Sequence, residues 1–327
     1  MKLLSFSNKK DNRQRAGIFL HDRVIDLEKA AVWAKVQNNY SADLTPPVTV
    51  NALLKEWSSS FPKLTGLLEI LLNVNPADLN VDGQSAVVQS SDVIFHPPVS
   101  NPPSFRDFYA FEQHVKTARA LRKLRMIPEW YEFPVFYFSN PNAFLGHGQS
   151  LRKPEYTREL DYELEIACII GRQGRDIQPE NAADYIAGYS ILNDWSARDI
   201  QRQEMRVGLG PAKGKDFASS LGPYLVTPDE IEGLRKNKGY LLKMTAKRNG
   251  RLLSEGNFAD ITYSFEEMIA RASQGVTLFP GDVIGSGTVG TGCILELRPE
   301  QAGGWIEKGD LVELEIDRLG ILSTLVD

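Results

Sequence analysis

Residues 160–170 read LDYELEIACII, an alternation of acidic and apolar side chains that runs into five apolar residues. The apolar part, 164–171, predicts a buried β-strand that ends at a glycine. Side chains at i and i+2 leave the same face of a strand, so Glu163 and Glu165 are expected to point together. Two adjacent anions repel each other, and the apolar continuation keeps bulk water away. The pair therefore indicates a bound metal ion or guanidinium, although Glu-x-Glu also occurs on solvated strand faces.

Short apolar runs broken by glycine, proline or asparagine recur along the chain. They predict further strands at 135–138, 189–192, 224–226, 283–284, 294–297 and 311–316. Near the N-terminus, the alternation over 16–26 predicts a β-hairpin, and 28–36 and 50–72 predict helices. Apolar residues at spacings of three and four over 108–121 predict another helix. Many short strands with few long helices favour a β-rich α+β fold.

Four prolines lie within 95–103. Because proline fixes φ and removes a hydrogen-bond donor, neither a helix nor a central strand is expected there. We therefore expect a small N-terminal domain with a proline-rich linker over 1–100, followed by a catalytic domain over 101–327.

The composition excludes several classes of protein. A formal net charge of −5 without a long basic run argues against a nucleic-acid partner. No apolar stretch approaches the roughly 20 residues of a membrane span, and the N-terminus lacks a signal-type apolar core. The two cysteines, Cys168 and Cys293, lie in apolar stretches and are expected to be buried free thiols, as in a reducing compartment. The cytoplasm is the expected location.

Two further carboxylates, Asp107 and Asp194, have surroundings that favour a functional site. Hard cations such as Mg²⁺ or Ca²⁺ prefer carboxylate oxygens, and the absence of a His- or Cys-rich cluster in the sequence disfavours zinc. A structural alternative is that Asp194 caps a helix starting at Trp195. Ser196 and Asp199 also have the spacing of a capping box.

Five motifs occur in order across 104–297: DFYAFEQH (107–114), LDYELE (160–165), NDWSARDIQ (193–201), GK (214–215) and GSGT (285–288). Together they resemble the fumarylacetoacetate hydrolase family. The resemblance implies a mixed β-roll with a small N-terminal domain, and the family's usual state makes a homodimer the expectation here.

The resemblance also implies roles for individual residues. One Mg²⁺, or Mn²⁺ or Ca²⁺, would be held by Asp107, Glu163, Glu165 and Asp194. His114 would activate water, and Glu296 would orient His114. Lys215 would stabilise the negative charge that develops in the reaction. Substrate contacts would come from Arg198, Gln201, Tyr137 and Thr288. The predicted helices would place His114 about two turns after Asp107, and Arg198 on one face with Gln201.

The implied reaction is metal-dependent hydrolysis of a C–C bond in a small β-diketo acid of the fumarylacetoacetate or acylpyruvate type. The same scaffold also supports oxaloacetate-type decarboxylation and 2-hydroxymuconate-type isomerisation. The presence of both His114 and Glu296 favours water chemistry, because a decarboxylase needs no nucleophilic water. An alternative of another class is a non-catalytic metal-binding scaffold.

Two glycine-containing stretches imitate nucleotide motifs. Residues 285–290, GSGTVG, fit G-x-G-x-x-G, but a dinucleotide fingerprint must open a helix, and we expect a strand at 294–297 instead. Residues 210–216, GPAKGKD, lack the spacing of a P-loop. Neither stretch predicts a nucleotide site.

Overall fold

The computed structural model describes residues 1–9, 11–46 and 48–327. The early strands are β1 (Lys2–Asn8), β2 (Arg15–Leu20), β3 (Arg23–Asp26), β4 (Asn80–Val81), β5 (Gln84–Ser85), β6 (Val87–Gln89) and β7 (Val93–His96). The early helices are α1 (Leu27–Asn38), α2 (Val50–Lys55) and α3 (Trp57–Leu71). Strands β2 and β3 pair antiparallel and confirm the hairpin. The single helix predicted over 50–72 is wrong, because Glu56 has a non-helical backbone and separates α2 from α3.

The rest of the chain supplies mainly short strands. They are β8 (Phe105–Phe108), β9 (Phe136–Ser139), β10 (Phe144–Leu145), β11 (Ser150–Leu151), β12 (Leu160–Asp161), β13 (Leu164–Ile170), β14 (Gly174–Arg175), β15 (Ile186–Asn193), β16 (Ser196–Ala197), β17 (Ser219–Val226), β18 (Arg235–Lys236), β19 (Gly239–Tyr240), β20 (Lys243–Arg248), β21 (Arg251–Asn257), β22 (Thr277–Leu278), β23 (Val283–Gly285), β24 (Leu311–Ile316) and β25 (Gly320–Val326). The later helices are α4 (Glu112–Leu121), α5 (Arg198–Val207), α6 (Phe265–Ser273), α7 (Ile294–Leu297) and α8 (Pro299–Ala302).

In the described ranges, twelve strands form one large mixed sheet, five form a second sheet, and the other eight pair in four two-stranded sheets. The large sheet has the order β6-β3-β2-β1-β17-β15-β13-β23-β8-β9, with β7 beside β1 and β10 beside β17. The second sheet has the order β11-β25-β24-β20-β21. Most neighbours are antiparallel, whereas β8 and β23 run parallel. This architecture confirms the expected β-rich α+β fold.

Both faces of the central strand β13 are buried. Along β13, Ile166, Cys168 and Ile170 pack into the core shared with the second sheet. The intervening Ala167 and Ile169 pack into a second core with the N-terminal helices. A strand covered on both faces needs apolar residues at every position, which explains the uninterrupted run after Glu165. Cys168 and Cys293 are buried free thiols, as predicted.

Two predictions of secondary structure are wrong near the proposed site. Asp107 and Phe108 belong to strand β8, since the backbone there pairs with β9 and β23, and helix α4 begins only at Glu112. Residues 294–297 form one turn of helix, α7, rather than a strand. The backbone N–H groups of Ile294 and Leu295 donate to the carboxylate of Asp161, which supports this turn.

The first hundred residues share the large sheet with the rest of the chain. Strand β1 pairs on one side with β2 and on the other with both β17, where Leu3 lies opposite Leu225, and β7, where Phe6 lies opposite Phe95. The division into domains at the prolines stays a prediction. In the described ranges, no helix is both long and apolar enough to cross a membrane.

Candidate active site

Neighbouring strands bring the four predicted metal ligands to one end of the large sheet. Asp107 lies on β8, and Glu165 lies near the start of β13. Glu163 immediately precedes β13, and Asp194 immediately follows β15, which pairs antiparallel with β13. One ligand oxygen from each of these four buried carboxylates lies within 4.8 Å of the others. Residues far apart in sequence therefore form one compact anionic cluster.

Strand β23 provides the backbone that separates two of these carboxylates. Gly285 ends the strand opposite Asp107, and Gly287 follows with a positive φ of 78°. The Gly287 N–H lies 3.3 Å from Asp107 Oδ1 and 3.2 Å from Glu165 Oε2, and donates to both. Glycine is needed at 287 because a Cβ there would lie 2.5 Å from the carbonyl oxygen of Phe108.

Two cations border the cluster. The Lys215 ammonium donates to Glu163 and Asp194, and Arg198 Nη2 lies 2.7 Å from Glu163 Oε1. Burial opposes the ionisation of Glu163, but Lys215 and Arg198 outweigh it and lower the pKa of Glu163 to about 2. Burial and then the charges of neighbouring carboxylates hold the pKa of both Asp107 and Glu165 well above the usual range. The cluster therefore lacks positive charge on its Asp107–Glu165 side.

A divalent cation fits this donor set. All four ligand groups are carboxylates, which suit Mg²⁺, Mn²⁺ and Ca²⁺ better than softer metals. A dication would also offset the repulsion between Asp107 and Glu165, which their backbone donor at Gly287 balances only in part.

The alternative role of Asp194 as a helix cap is not what the structure has. Helix α5 begins at Arg198 after Ala197, while Ser196 lies in strand β16 and Trp195 is outside any helix. Asp194 instead accepts hydrogen bonds from Lys215, Tyr137 and Ser219. Asp199 accepts from Thr157 and from the backbone N–H of Arg158, so no capping box forms with Ser196.

His114 and Glu296 form a buried pair beside the cluster. His114 lies in the first turn of α4 and Glu296 on α7, and their side chains are 7% and 2% exposed. Nδ1 of His114 bonds to Oε1 of Glu296, while Oε2 accepts from the backbone N–H of Thr291 at 3.1 Å. An ionised carboxylate only accepts, so Nδ1 carries a proton, and in the neutral tautomer of the ring Nε2 keeps its lone pair. Asp107 thus lies on a strand and His114 on a helix, not both on one helix as predicted.

The remaining predicted residues lie around the same cluster. The Tyr137 hydroxyl donates to Asp194 and, at 3.2 Å, to Asp107. Thr288 Oγ1 donates to Glu165 at 3.3 Å, and Arg198 Nη1 donates to Gln201 at 3.1 Å. The structure thus brings together every residue assigned from the family motifs, while their roles toward a substrate stay predictions.

Three nearby residues were missed by the sequence analysis. Tyr109 packs edge-on against His114 with ring centroids 5.2 Å apart, and burial raises its pKa to about 12. Cys293 Sγ lies 3.6 Å from Glu296 Oε1. Asp161 connects α7 with Arg198. Asp161 stands inside the quoted LDYELE motif, so an acidic residue in a buried strand was the available signal.

The GSGTVG stretch, residues 285–290, borders the acidic cluster. A helix follows this stretch where a strand was predicted. That helix, α7, starts only at Ile294 and has one turn, so the stretch does not open a helix as a dinucleotide fingerprint must. Ser286 Oγ accepts from the backbone N–H of Ile166 on β13, and the Gly287 N–H and Thr288 Oγ1 donate to Glu165. The glycines therefore serve close packing against the acidic residues.

Comparisons with known proteins agree with this arrangement. The family model described as fumarylacetoacetate (FAA) hydrolase C-terminal matches residues 104–327. Oxaloacetate tautomerase YisK of Bacillus subtilis (strain 168) is 34% identical over 199 residues, which cover 60% of this chain and 62% of that protein, less than two thirds of its length. The mitochondrial oxaloacetate tautomerase fahd2 of Xenopus laevis is 27% identical over 335 residues, which cover 100% of this chain and 90% of that protein.

A solved structure supports the fold over the whole chain. Maleylpyruvate hydrolase from Sphingobium sp. SYK-6, solved in complex with manganese (II) ion and pyruvate, superposes with a TM-score of 0.68 at 22% identity. The superposition covers 100% of this chain and 98% of that one. Because the family model matches more than half of the sequence, the chain belongs to the fumarylacetoacetate hydrolase family.

Proposed function

We propose that this protein is a divalent-metal-dependent enzyme that hydrolyses a C–C bond in a small β-diketo acid. The observation that carries the proposal is the buried His114–Glu296 pair beside the four-carboxylate cluster. Relatives and structural neighbours with hydrolase and tautomerase names support an enzyme of the same broad class.

The acidic cluster is the proposed metal site. Asp107, Glu163, Glu165 and Asp194 would hold Mg²⁺ or Mn²⁺. The bound ion would act as a Lewis acid on the oxygens of the oxo-acid substrate. Manganese in the Sphingobium maleylpyruvate hydrolase supports a divalent ion of this kind.

The dyad supplies the base. Glu296 holds Nδ1–H of His114, so Nε2 can take a proton from water while the carboxylate stabilises the resulting imidazolium. Hydroxide adds to the distal carbonyl carbon, the C–C bond breaks, and its electron pair leaves with the oxo-acid fragment as an enolate. His114 can then return the proton to the carbon of the enolate at which the C–C bond broke. Lys215 adds a buried positive charge where negative charge develops.

Tautomerisation or decarboxylation of oxaloacetate is the second candidate. The names of several relatives favour tautomerisation, including the frog protein aligned over the full length of this chain. These reactions need proton transfer or loss of carbon dioxide but no addition of water. A base at His114 is therefore useful for a tautomerase, whereas a water-activating dyad is specific to hydrolysis.

The deciding experiment measures turnover of fumarylacetoacetate, short acylpyruvates and oxaloacetate by enzyme stripped with a chelator and then given Mg²⁺ or Mn²⁺. We expect metal-restored cleavage of a diketo acid into two acids. His114→Ala should lower kcat by about 10²–10⁴-fold, the usual contribution of a general base, while metal binding persists. Glu163→Gln should weaken the metal affinity itself.

His96→Gln is a suitable control, because His96 is a half-buried histidine that bonds to Ser7 away from the cluster. It should leave turnover unchanged. Full hydrolase activity in His114→Ala would contradict the assigned base. Turnover of oxaloacetate alone would favour the second candidate. Metal binding without any turnover would favour a non-catalytic scaffold.

A further inference from the structure

Asp161 is a fully buried carboxylate for which the proposed mechanism has no role. Its Oδ1 accepts from the backbone N–H of Ile294 at 2.8 Å, and its Oδ2 accepts from that of Leu295 at 3.0 Å. Arg198 Nε donates to the same Oδ2 at 2.8 Å. A buried carboxylate is costly unless it is paired, and here three donors from two separate parts of the chain converge on one group.

The first connection fixes the acid of the dyad. Ile294 and Leu295 are the first two residues of α7, and the first N–H groups of a helix have no partner within it. No side chain of the preceding residue, Cys293, caps them. Asp161 supplies both acceptors from β12. Since Glu296 follows directly, the position of its carboxylate against His114 depends on a turn that Asp161 holds.

The second connection fixes the acidic cluster. The guanidinium of Arg198 is a rigid planar fork, so a bond at Nε sets the direction of the whole group. Asp161 holds Nε, and Nη2 then lies 2.7 Å from Glu163 Oε1. The opposite terminal nitrogen, Nη1, donates to Gln201. The orientation of one predicted metal ligand therefore also depends on Asp161.

We propose that Asp161 is a positioning residue that holds the dyad and the acidic cluster in a fixed mutual arrangement, through the N-terminal turn of α7 and through Arg198. The role in turnover rests on the proposed function, but the geometric part does not. Asp161 contacts neither a substrate nor the reacting atoms. It acts through Glu296 on one side and Glu163 on the other.

Asp161→Asn tests the proposal, because asparagine keeps the size but offers one acceptor oxygen and an NH₂ group. The NH₂ group of the asparagine would then face at least one of the three N–H donors that Asp161 now accepts from. Those buried donors would lose their hydrogen bonds, which costs free energy. The chain has four histidines, so ¹⁵N-histidine NMR resolves the His114 ring once a His114→Gln spectrum identifies it. We expect the Nδ1–H resonance of His114 to move in Asp161→Asn, and Mg²⁺ affinity to fall at least threefold.

Kinetics add a second readout. Asp161→Asn should lower kcat at least tenfold with a smaller change in KM. In a His114→Ala background, the factor by which Asp161→Asn lowers kcat should be less than half as large. Once His114 is gone, Asp161 no longer has a complete dyad to position. Equal losses of kcat in both backgrounds would overturn the dyad connection.

Asp282→Asn is the matched control. Asp282 is also buried, accepts the Phe279 N–H at 2.8 Å and the Ser104 hydroxyl at 2.6 Å, and lies 4.0 Å from Arg106. It should lower thermal stability yet leave the His114 resonance in place. Should Asp161→Asn fail to fold, Asp161→Ser, which keeps one acceptor and makes room for water, replaces it.

A folded Asp161 variant with an unchanged His114 resonance and unchanged Mg²⁺ affinity would overturn the proposal. If the unmodified protein cleaves no diketo acid, the proposed function fails. The resonance and the affinity, measured without substrate, still decide whether Asp161 positions the two groups.

Discussion

At the scale of single residues, Asp107 and Glu165 each make the stability of the protein depend on pH. Burial and neighbouring carboxylates raise the pKa of both groups well above the value of about 4 expected in an unfolded chain. At pH values between the unfolded and the folded pKa of these groups, the metal-free folded protein binds more protons than the unfolded chain. The stability from these two groups is therefore full below about pH 4 and is lost as pH rises through their folded pKa values. Removing both charges with Asp107→Asn/Glu165→Gln should abolish that loss.

The measurement is the melting temperature of chelated protein between pH 5 and pH 8, compared with that variant. We expect the unmodified protein to lose stability relative to the variant as pH rises, and saturating Mg²⁺ to cancel the loss. The comparison is needed because burial lowers the pKa of His96 and His147, which act in the opposite direction near pH 6. An unmodified protein that gains stability relative to the variant would contradict the raised pKa values.

At the scale of elements, the close approach of β8 and β23 decides where Asp107 lies. A Cβ at Gly285 would overlap the Asp107 carboxylate and lie 2.8 Å from Leu192 Cδ2. Gly285→Ala should therefore displace Asp107 and weaken Mg²⁺ binding about tenfold, as measured by calorimetry. Gly233→Ala is the control, since no atom lies within 4 Å of its added Cβ. An unaltered Mg²⁺ affinity in Gly285→Ala would show that the strands can separate without cost to the site.

Sequence patterns predicted these elements unequally. The apolar run of β13 and the alternation of β24 identify their strands, because burial on both faces leaves an uninterrupted apolar run and burial on one face leaves an alternation. Asp107 was placed on a helix because Phe108 happens to continue the spacing of α4, and only the partners β9 and β23 make it a strand. The turn of α7 is likewise set by Asp161, more than a hundred residues earlier, and local sequence carries no trace of that contact.

At the scale of the whole molecule, the second core crosses the proposed domain boundary. Leu67 on α3 is fully buried and packs in one cluster with Ile169 of β13 and Leu225 of β17. Leu67→Ala should cost about 2–5 kcal/mol of unfolding free energy. We expect it to lower a single cooperative melting transition, with amide hydrogens of β1 and β15 losing protection together. Leu72→Ala, at a site that is 51% exposed, should change little.

Two separate transitions, with only the N-terminal amides affected by Leu67→Ala, would contradict this expectation and support independent domains. A homodimer remains a prediction from the family. Analytical ultracentrifugation across a concentration series would test it.

The interior place of β1 in the large sheet has a consequence for how the protein is made. Met1 and its partner Thr227 are 226 positions apart, whereas β1 and β2 are joined by a short connection. On the ribosome the N-terminal strands, including β7, can therefore pair early, but the edge of β1 at Lys2 and Leu3 must wait until β17 has been synthesised. Contacts of such long range slow folding, and an open strand edge invites pairing with other chains. The nascent chain is thus most vulnerable to aggregation during the long interval before β17 emerges, when a holding chaperone would have the greatest effect on yield.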